Sequence, residues 1–108
     1  MITVTVHQKS GQPISGFLIE GHGEMDTETL GYDIVCAAVS AVSLTAALGL
    51  RDVLGLNGTY DSENGRMNVD IGEGGDEKSD AVIETMLRGI QEIKTHYPNR
   101  IQIKGYRR

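Results

Sequence analysis

The stretch Thr59-Tyr60-Asp61-Ser62-Glu63-Asn64-Gly65-Arg66-Met67-Asn68-Val69-Asp70-Ile71 decides the fold. Asn-Gly between two β-prone runs is a strong hairpin signal, because both residues tolerate the positive φ angles a tight turn needs. On the C-terminal side, Val82, Ile83, Met86, Leu87, Ile90, Ile93 and Tyr97 recur at three- and four-residue steps. That spacing predicts an amphipathic helix, which Pro98 stops. Ile101 and Ile103 then alternate with Gln102 and Lys104 as a last strand. On the N-terminal side, Ile34 to about Asp52 is rich in Ala and Leu, with Asp33 as a good N-cap and Gly55 beyond, and reads as a helix. Farther back, Ile2, Val4 and Val6 alternate with Thr3, Thr5 and His7, Gly11-Gln12-Pro13 turns the chain, and Ile14 to Gly21 is β-prone again. These residues make a first hairpin of roughly 20 residues. The order ββα-ββα-β predicts an α+β fold, an antiparallel sheet with both long helices covering one face.

The 108 residues contain no Pro/Ser-rich stretch or break in composition, so residues 1–108 read as one domain with a single thin core. Any active site is then shallow or shared with a second subunit. One cysteine, Cys36, excludes an internal disulfide and fits a reducing cytoplasm. The N-terminal residues lack the pattern of a signal peptide, and the most apolar segment, Ile34 to Leu50, reads as short for a membrane span. A soluble protein is expected. Net charge −5 and a pI near 5.0 disfavour a primary nucleic-acid binder, which needs clustered Lys and Arg. Glu24, Asp26 and Glu28 crowd one stretch; they are either solvated surface or a face for a basic partner.

With Asp33 as N-cap, Cys36 falls in the first helical turn, where unpaired N–H groups and the helix dipole favour a thiolate. The Asp33 carboxylate opposes this, so a second activating group is needed. His22 lies at the end of the second strand and is the histidine nearest in sequence; an imidazole is a standard activator of a thiol. Equally, Cys36 beside Ala37-Ala38-Val39 reads as core packing, and His22 as a loop-edge residue without a task, as His7 and His96 are read. The residues alone leave both readings open. One cysteine and three scattered histidines show none of the close ligand pairs that metal sites use, which disfavours zinc. Gly72-Glu73-Gly74-Gly75-Asp76 lacks the Lys-Ser/Thr ending of a P-loop and carries acids that repel phosphate, so it reads as a strand-to-helix turn.

Gly21-His22, a loop, then Gly31-Tyr32-Asp33-Ile34-Val35-Cys36-Ala37-Ala38-Val39-Ser40 resembles the signature of the ribosomal-processing cysteine proteases, and the resemblance extends to the last strand. It implies an α+β homodimer that trims an N-terminal extension from a large-subunit ribosomal protein of the L27 type, one whose N-terminus reaches toward the peptidyl-transferase centre. It implies Cys36 as nucleophile and His22 as general base, with Gly21, Asp33 and Ser40 as supporting motif positions, and no cofactor. Ser40 lies one helical turn after Cys36, where its hydroxyl can hold water or substrate backbone, or bond back to its own helix. Gly23 departs from the family, which usually has Ala after the histidine. The loop from Gly23 to Tyr32, with glycines at both ends and three carboxylates between, is expected to act as a lid. Two rival readings are another thiol-dependent acyl-transfer enzyme and a non-catalytic assembly factor that binds the ribosomal protein.

Overall fold

The computed structural model describes residues 1–21, 31–63 and 65–106, with backbone alone at 31–33. Strands β1 (Ile2–Gln8) and β2 (Ile14–Glu20) precede helix α1 (Gly31–Leu48) and a π-helical turn (Gly49–Val53). Strands β3 (Thr59–Glu63) and β4 (Arg66–Asp70), helix α2 (Glu77–His96) and strand β5 (Ile101–Lys104) complete the chain. The sheet runs β3-β4-β2-β1-β5, so the two ββα halves meet where β2 pairs antiparallel with β4. The expected α+β order is observed. One pairing differs from the expected antiparallel sheet: β5 lies parallel to β1, Ile2 opposite Ile101 and Val4 opposite Ile103. A strand that follows a helix crossing the sheet can enter either way, and no local signal in four residues fixes the direction.

Alternation sets the buried face. Ile2, Val4 and Val6 of β1, Ile19 of β2, Met67 and Val69 of β4 and Ile101 of β5 all enter one core with Val35, Val39 and Leu50 beneath α1 and Ile83, Leu87 and Ile90 beneath α2. Along β2 both Ile14 and Phe17 are fully buried, an odd spacing that strict alternation forbids. A register shift between His7 and Gln8 resolves it, pairing His7 with Gly16 but Gln8 with Ile14.

α2 opens with a capping box: the Asp76 carboxylate accepts from the backbone N–H groups of Lys78 (2.9 Å) and Ser79 (3.0 Å), while the Asp76 N–H donates to Ser79 Oγ at 2.7 Å. The glycine-rich segment before it is thus the strand-to-helix turn read from the sequence. Asp80 in the first turn accepts from the Ile14 N–H at 2.8 Å, tying α2 to the start of β2.

α1 departs from expectation at both ends. It starts at Gly31, so Asp33 lies inside the helix rather than capping it, and Cys36 sits in the second turn rather than the first. An acid is favoured by the dipole at either position, and composition does not separate them. At the other end the helix widens over Gly49–Val53, where the Leu54 N–H donates to the Gly49 carbonyl at 2.9 Å. Gly55, at φ 67°, then turns the chain so that the Leu56 N–H reaches back to the Leu50 carbonyl at 3.0 Å. By length and composition Ile34–Val53 is long and apolar enough to cross a bilayer, which the shorter segment read from the sequence did not suggest. In this fold its Val35, Val39, Ala46, Ala47 and Leu50 serve the core, while Ile34, Leu44, Leu48 and Val53 are exposed.

Candidate functional site

Cys36 lies between Val35, which is fully buried, and Ala37, which is exposed. It is itself half-buried, packs against the core and forms no disulfide. It is therefore neither a sealed core residue nor a freely solvated one, the intermediate setting in which a thiol keeps a fixed direction and remains reachable. Its place in the second turn does not remove it from the helix N-terminus. Side chains on a helix lean back toward the N-terminal end, so the thiol of the sixth helical residue covers the first turn, whose amides have no partner within the helix.

Ser40 lies one turn farther along α1 and is also half-buried. It opens onto a groove of about 250 Å³, whose other walls are Leu44 from α1 and Ser62, Glu63, Gly65, Arg66 and Met67 from the β3–β4 hairpin. The sequence reading missed this second wall entirely. Its members lie more than 20 residues from Ser40, and only the pairing of β4 with β2 carries the hairpin beside α1. The wall is anchored: the Tyr60 hydroxyl on β3 donates to the Leu56 carbonyl at 2.8 Å. Burial pushes the Tyr60 phenol above its ordinary range, so it stays a protonated donor.

Glu20, the last residue of β2, pairs with Arg66 of the groove wall, and Arg66 Nε stands 3.8 Å from Glu20 Oε1 across solvent-exposed surface. That contact orients more than it stabilises. Gly21 follows directly, at φ 99°, and a Cβ built on it overlaps the Met1 carbonyl oxygen. Glycine is therefore required here for two independent reasons, conformation and space. The chain thus leaves β2 for residue 22 at the same end of the sheet as the groove. His22 and the expected lid, together with the Asp33 side chain, lie outside the described residues. The groove brings Ser40 beside Arg66, which lies opposite Glu20, the residue before Gly21, while Cys36 stands one turn of α1 before Ser40.

The larger cavity, about 700 Å³, lies at the opposite end of β2 and β4, among Lys9, Pro13, Ser15, Asp70, Gly72 and Glu73. It shares no residue with the Cys36 end. Among the described residues no group of three or more His, Cys, Asp or Glu could hold a metal ion.

The sequence profile described as cysteine protease Prp matches residues 1–102 of this chain. The ribosomal processing cysteine protease Prp of Staphylococcus aureus is 28% identical over 110 residues, spanning 95% of this chain and 97% of that protein. Among solved structures, a Streptococcus mutans protein superposes with a TM-score of 0.82 at 26% identity, over 96% of this chain and 92% of that one. S. aureus Prp, crystallised in complex with a covalently linked product peptide, superposes with a TM-score of 0.76 at 25% identity, over 98% of this chain and 100% of that one. A profile match over nearly the whole length, joined to this likeness of fold, means that the chain belongs to the Prp family of ribosomal-processing cysteine proteases.

Proposed function

We propose that this chain is a cysteine endopeptidase that removes the N-terminal extension of an L27-type large-subunit ribosomal protein. The observation that carries the reading is the half-buried, disulfide-free Cys36 on the N-terminal part of α1, one turn from a groove. The Cys36 thiolate attacks the scissile carbonyl carbon while His22 takes the thiol proton. First-turn amides of α1 receive the charge that develops on the carbonyl oxygen. His22 then returns the proton to the departing amine, and a thioester joins Cys36 to the N-terminal fragment. Water, deprotonated by His22, attacks that thioester and frees the thiol. Gly21 sets the path of the chain into His22, Ser40 faces the substrate backbone, and Asp33 steers the helix end. No cofactor enters these steps. A relative crystallised with a covalently linked product peptide is compatible with such a thioester route.

The working unit of this reading is a cytoplasmic homodimer that binds neither membrane nor nucleic acid. The groove between α1 and α2 is lined by Ala41, Val42, Thr45, Val53, Val82 and Met86, with Val53 80% exposed. An apolar strip of this kind on a small protein calls for a cover, and a second copy supplies one. Incubation with the full-length ribosomal protein, followed by mass measurement of both fragments, tests the function. Two fragments whose masses sum to the substrate plus one water support it; intact substrate after hours at micromolar enzyme refutes it.

A further inference from the structure

We infer that Met1 is a positioning residue for the reaction: its carbonyl group is the stop against which Gly21 rests, where the chain leaves β2 for His22. The inference rests on Cys36 and His22 as the reacting pair. Pairing of β1 with β2 runs one to one from Val6 opposite Phe17 to Thr3 opposite Glu20, so Ile2 and Met1 are the residues that flank the chain as it passes Glu20. The approach is close. A Cβ built on Gly21 overlaps the Met1 carbonyl oxygen and stands 3.1 Å from the carbonyl carbon and 3.2 Å from Ile2 Cα, so no side chain fits between the two backbones. At φ 99° Gly21 also leaves the strand conformation at this contact. Gly11, Gly55 and Gly72 reach positive φ with nothing within 4 Å of an added Cβ, so a change of chain direction does not by itself demand such an obstacle.

The stop is held from its far side. Ile2 is 3% exposed, lies opposite Ile101 and donates its N–H to the Arg100 carbonyl at 2.8 Å, and the Arg100 N–H donates to the Tyr97 carbonyl at 3.1 Å. The corner after α2, the start of β1 and the exit of β2 thus form one backbone series. Met1 itself is 57% exposed, so its side chain adds little to the core and what it supplies is the place of its carbonyl group. Proton transfer needs heavy atoms about 2.6–3.2 Å apart, and a reacting group misplaced by about 1 Å can lose roughly a hundredfold in rate. His22 is the next residue after Gly21, so a small rotation of the Gly21 backbone is enough to lose that geometry.

The test uses two chains cut from a removable N-terminal fusion, one beginning at Met1 and one at Ile2, whose nitrogen remains a donor to Arg100. Each is made with and without Gly21→Ala, and His22→Ala in the longer chain shows what loss of the base looks like. The chain beginning at Ile2 should melt within a few degrees of the longer one, yet lose at least tenfold in kcat on a cleavage-site peptide with KM within threefold. Alkylation of Cys36 by iodoacetamide should move to higher pH, toward the profile of His22→Ala, because a thiol without its imidazole ionises later. Gly21→Ala should lower kcat at least tenfold in the longer chain but no more than threefold further in the shorter one, the non-additivity of two groups in contact. Unchanged kcat on removal of Met1, a lower kcat with an unmoved alkylation profile, or additive losses would overturn the positioning role and leave the dyad standing. Wild-type cleavage by His22→Ala overturns the base and this inference with it.

Discussion

Gly21→Ala should damage this protein more than exchange of a left-handed glycine with open space around it, and Gly55→Ala provides the measure. Both residues sit at positive φ, 99° and 67°. An alanine in such a conformation costs about 1–2 kcal/mol in either case. At Gly55 nothing lies within 4 Å of the added Cβ, so that cost is the whole effect. At Gly21 the Cβ overlaps the Met1 carbonyl oxygen and stands 3.2 Å from Ile2 Cα. Backbone has to yield there. Ile2 is 3% exposed, and its N–H donates to the Arg100 carbonyl at 2.8 Å, the bond that starts the pairing of β1 with β5. Weakening one such bond costs about 1 kcal/mol, and lifting part of a buried isoleucine adds a similar amount. The total for Gly21→Ala is about 3–4 kcal/mol, against about 1–2 for Gly55→Ala. At about 4–8 °C per kcal/mol, the two melting temperatures should differ by roughly 8–16 °C.

The assay is thermal unfolding of both variants beside wild type, followed by cleavage rates per folded molecule well below the lower midpoint. Gly21→Ala should also lose at least tenfold in rate, since its backbone carries His22, whereas Gly55→Ala should keep wild-type turnover. If Gly21→Ala melts no lower than Gly55→Ala, the close approach of β2 to the first residues of the chain is misjudged and the packing argument fails.

Cys36→Ala should abolish processing while shifting the melting temperature only a few degrees, since alanine suits a helix; cleavage at the wild-type rate would end the cysteine-protease mechanism. His22→Ala should reduce kcat at least a hundredfold, general-base assistance being worth about 10²–10⁴, and a loss of only a few-fold removes His22 from the base role. Val53→Asp, at an exposed position, should leave the fold intact and turn the sedimenting species from dimer to monomer; an unchanged dimer moves the interface elsewhere. Asp80→Ala leaves the half-buried Ile14 N–H without its carboxylate and should cost about 2 kcal/mol in urea unfolding, while a loss under 0.5 kcal/mol means water replaces it.

What the sequence disclosed follows from how local each signal is. The β-prone runs on either side of Asn64-Gly65, the three-and-four spacing of α2 and the alternation of β1 are all written within ten or twenty residues, and β3, β4, α2 and β1 formed where those patterns stand. The parallel entry of β5 and the bulge that buries both Ile14 and Phe17 depend on partners far along the chain, and no short window holds them. The candidate site divides the same way. Gly21, Cys36 and Ser40 were visible because a motif names them, whereas Ser62, Glu63, Arg66 and Met67 had no motif and became site residues only through the β2–β4 pairing.

Helix α1 and the π-helical turn that continues it carry three duties on one set of residues, and this sets what can vary in them. Val35, Val39 and Leu50 are fully buried, and truncating any of them to alanine should cost about 2–5 kcal/mol for the larger side chains. Ser40 and Leu44 line the flank toward the hairpin, one and two turns beyond Cys36, where a change alters the groove before it alters the fold. Ile34, Leu48 and Val53 face outward, where an apolar residue contributes nothing to an isolated chain and costs solubility. A helix under selection for folding alone would be polar on that third face. The homodimer proposed above would cover that face, and the helix that carries Cys36 would then also join the two subunits. Displacement of α1 at the interface would move Cys36 against the hairpin wall, so a monomeric Val53→Asp variant should retain its fold but cleave the substrate peptide more slowly, with the loss in kcat rather than in KM. Equal kcat in monomer and dimer would show that the interface and the groove are mechanically independent.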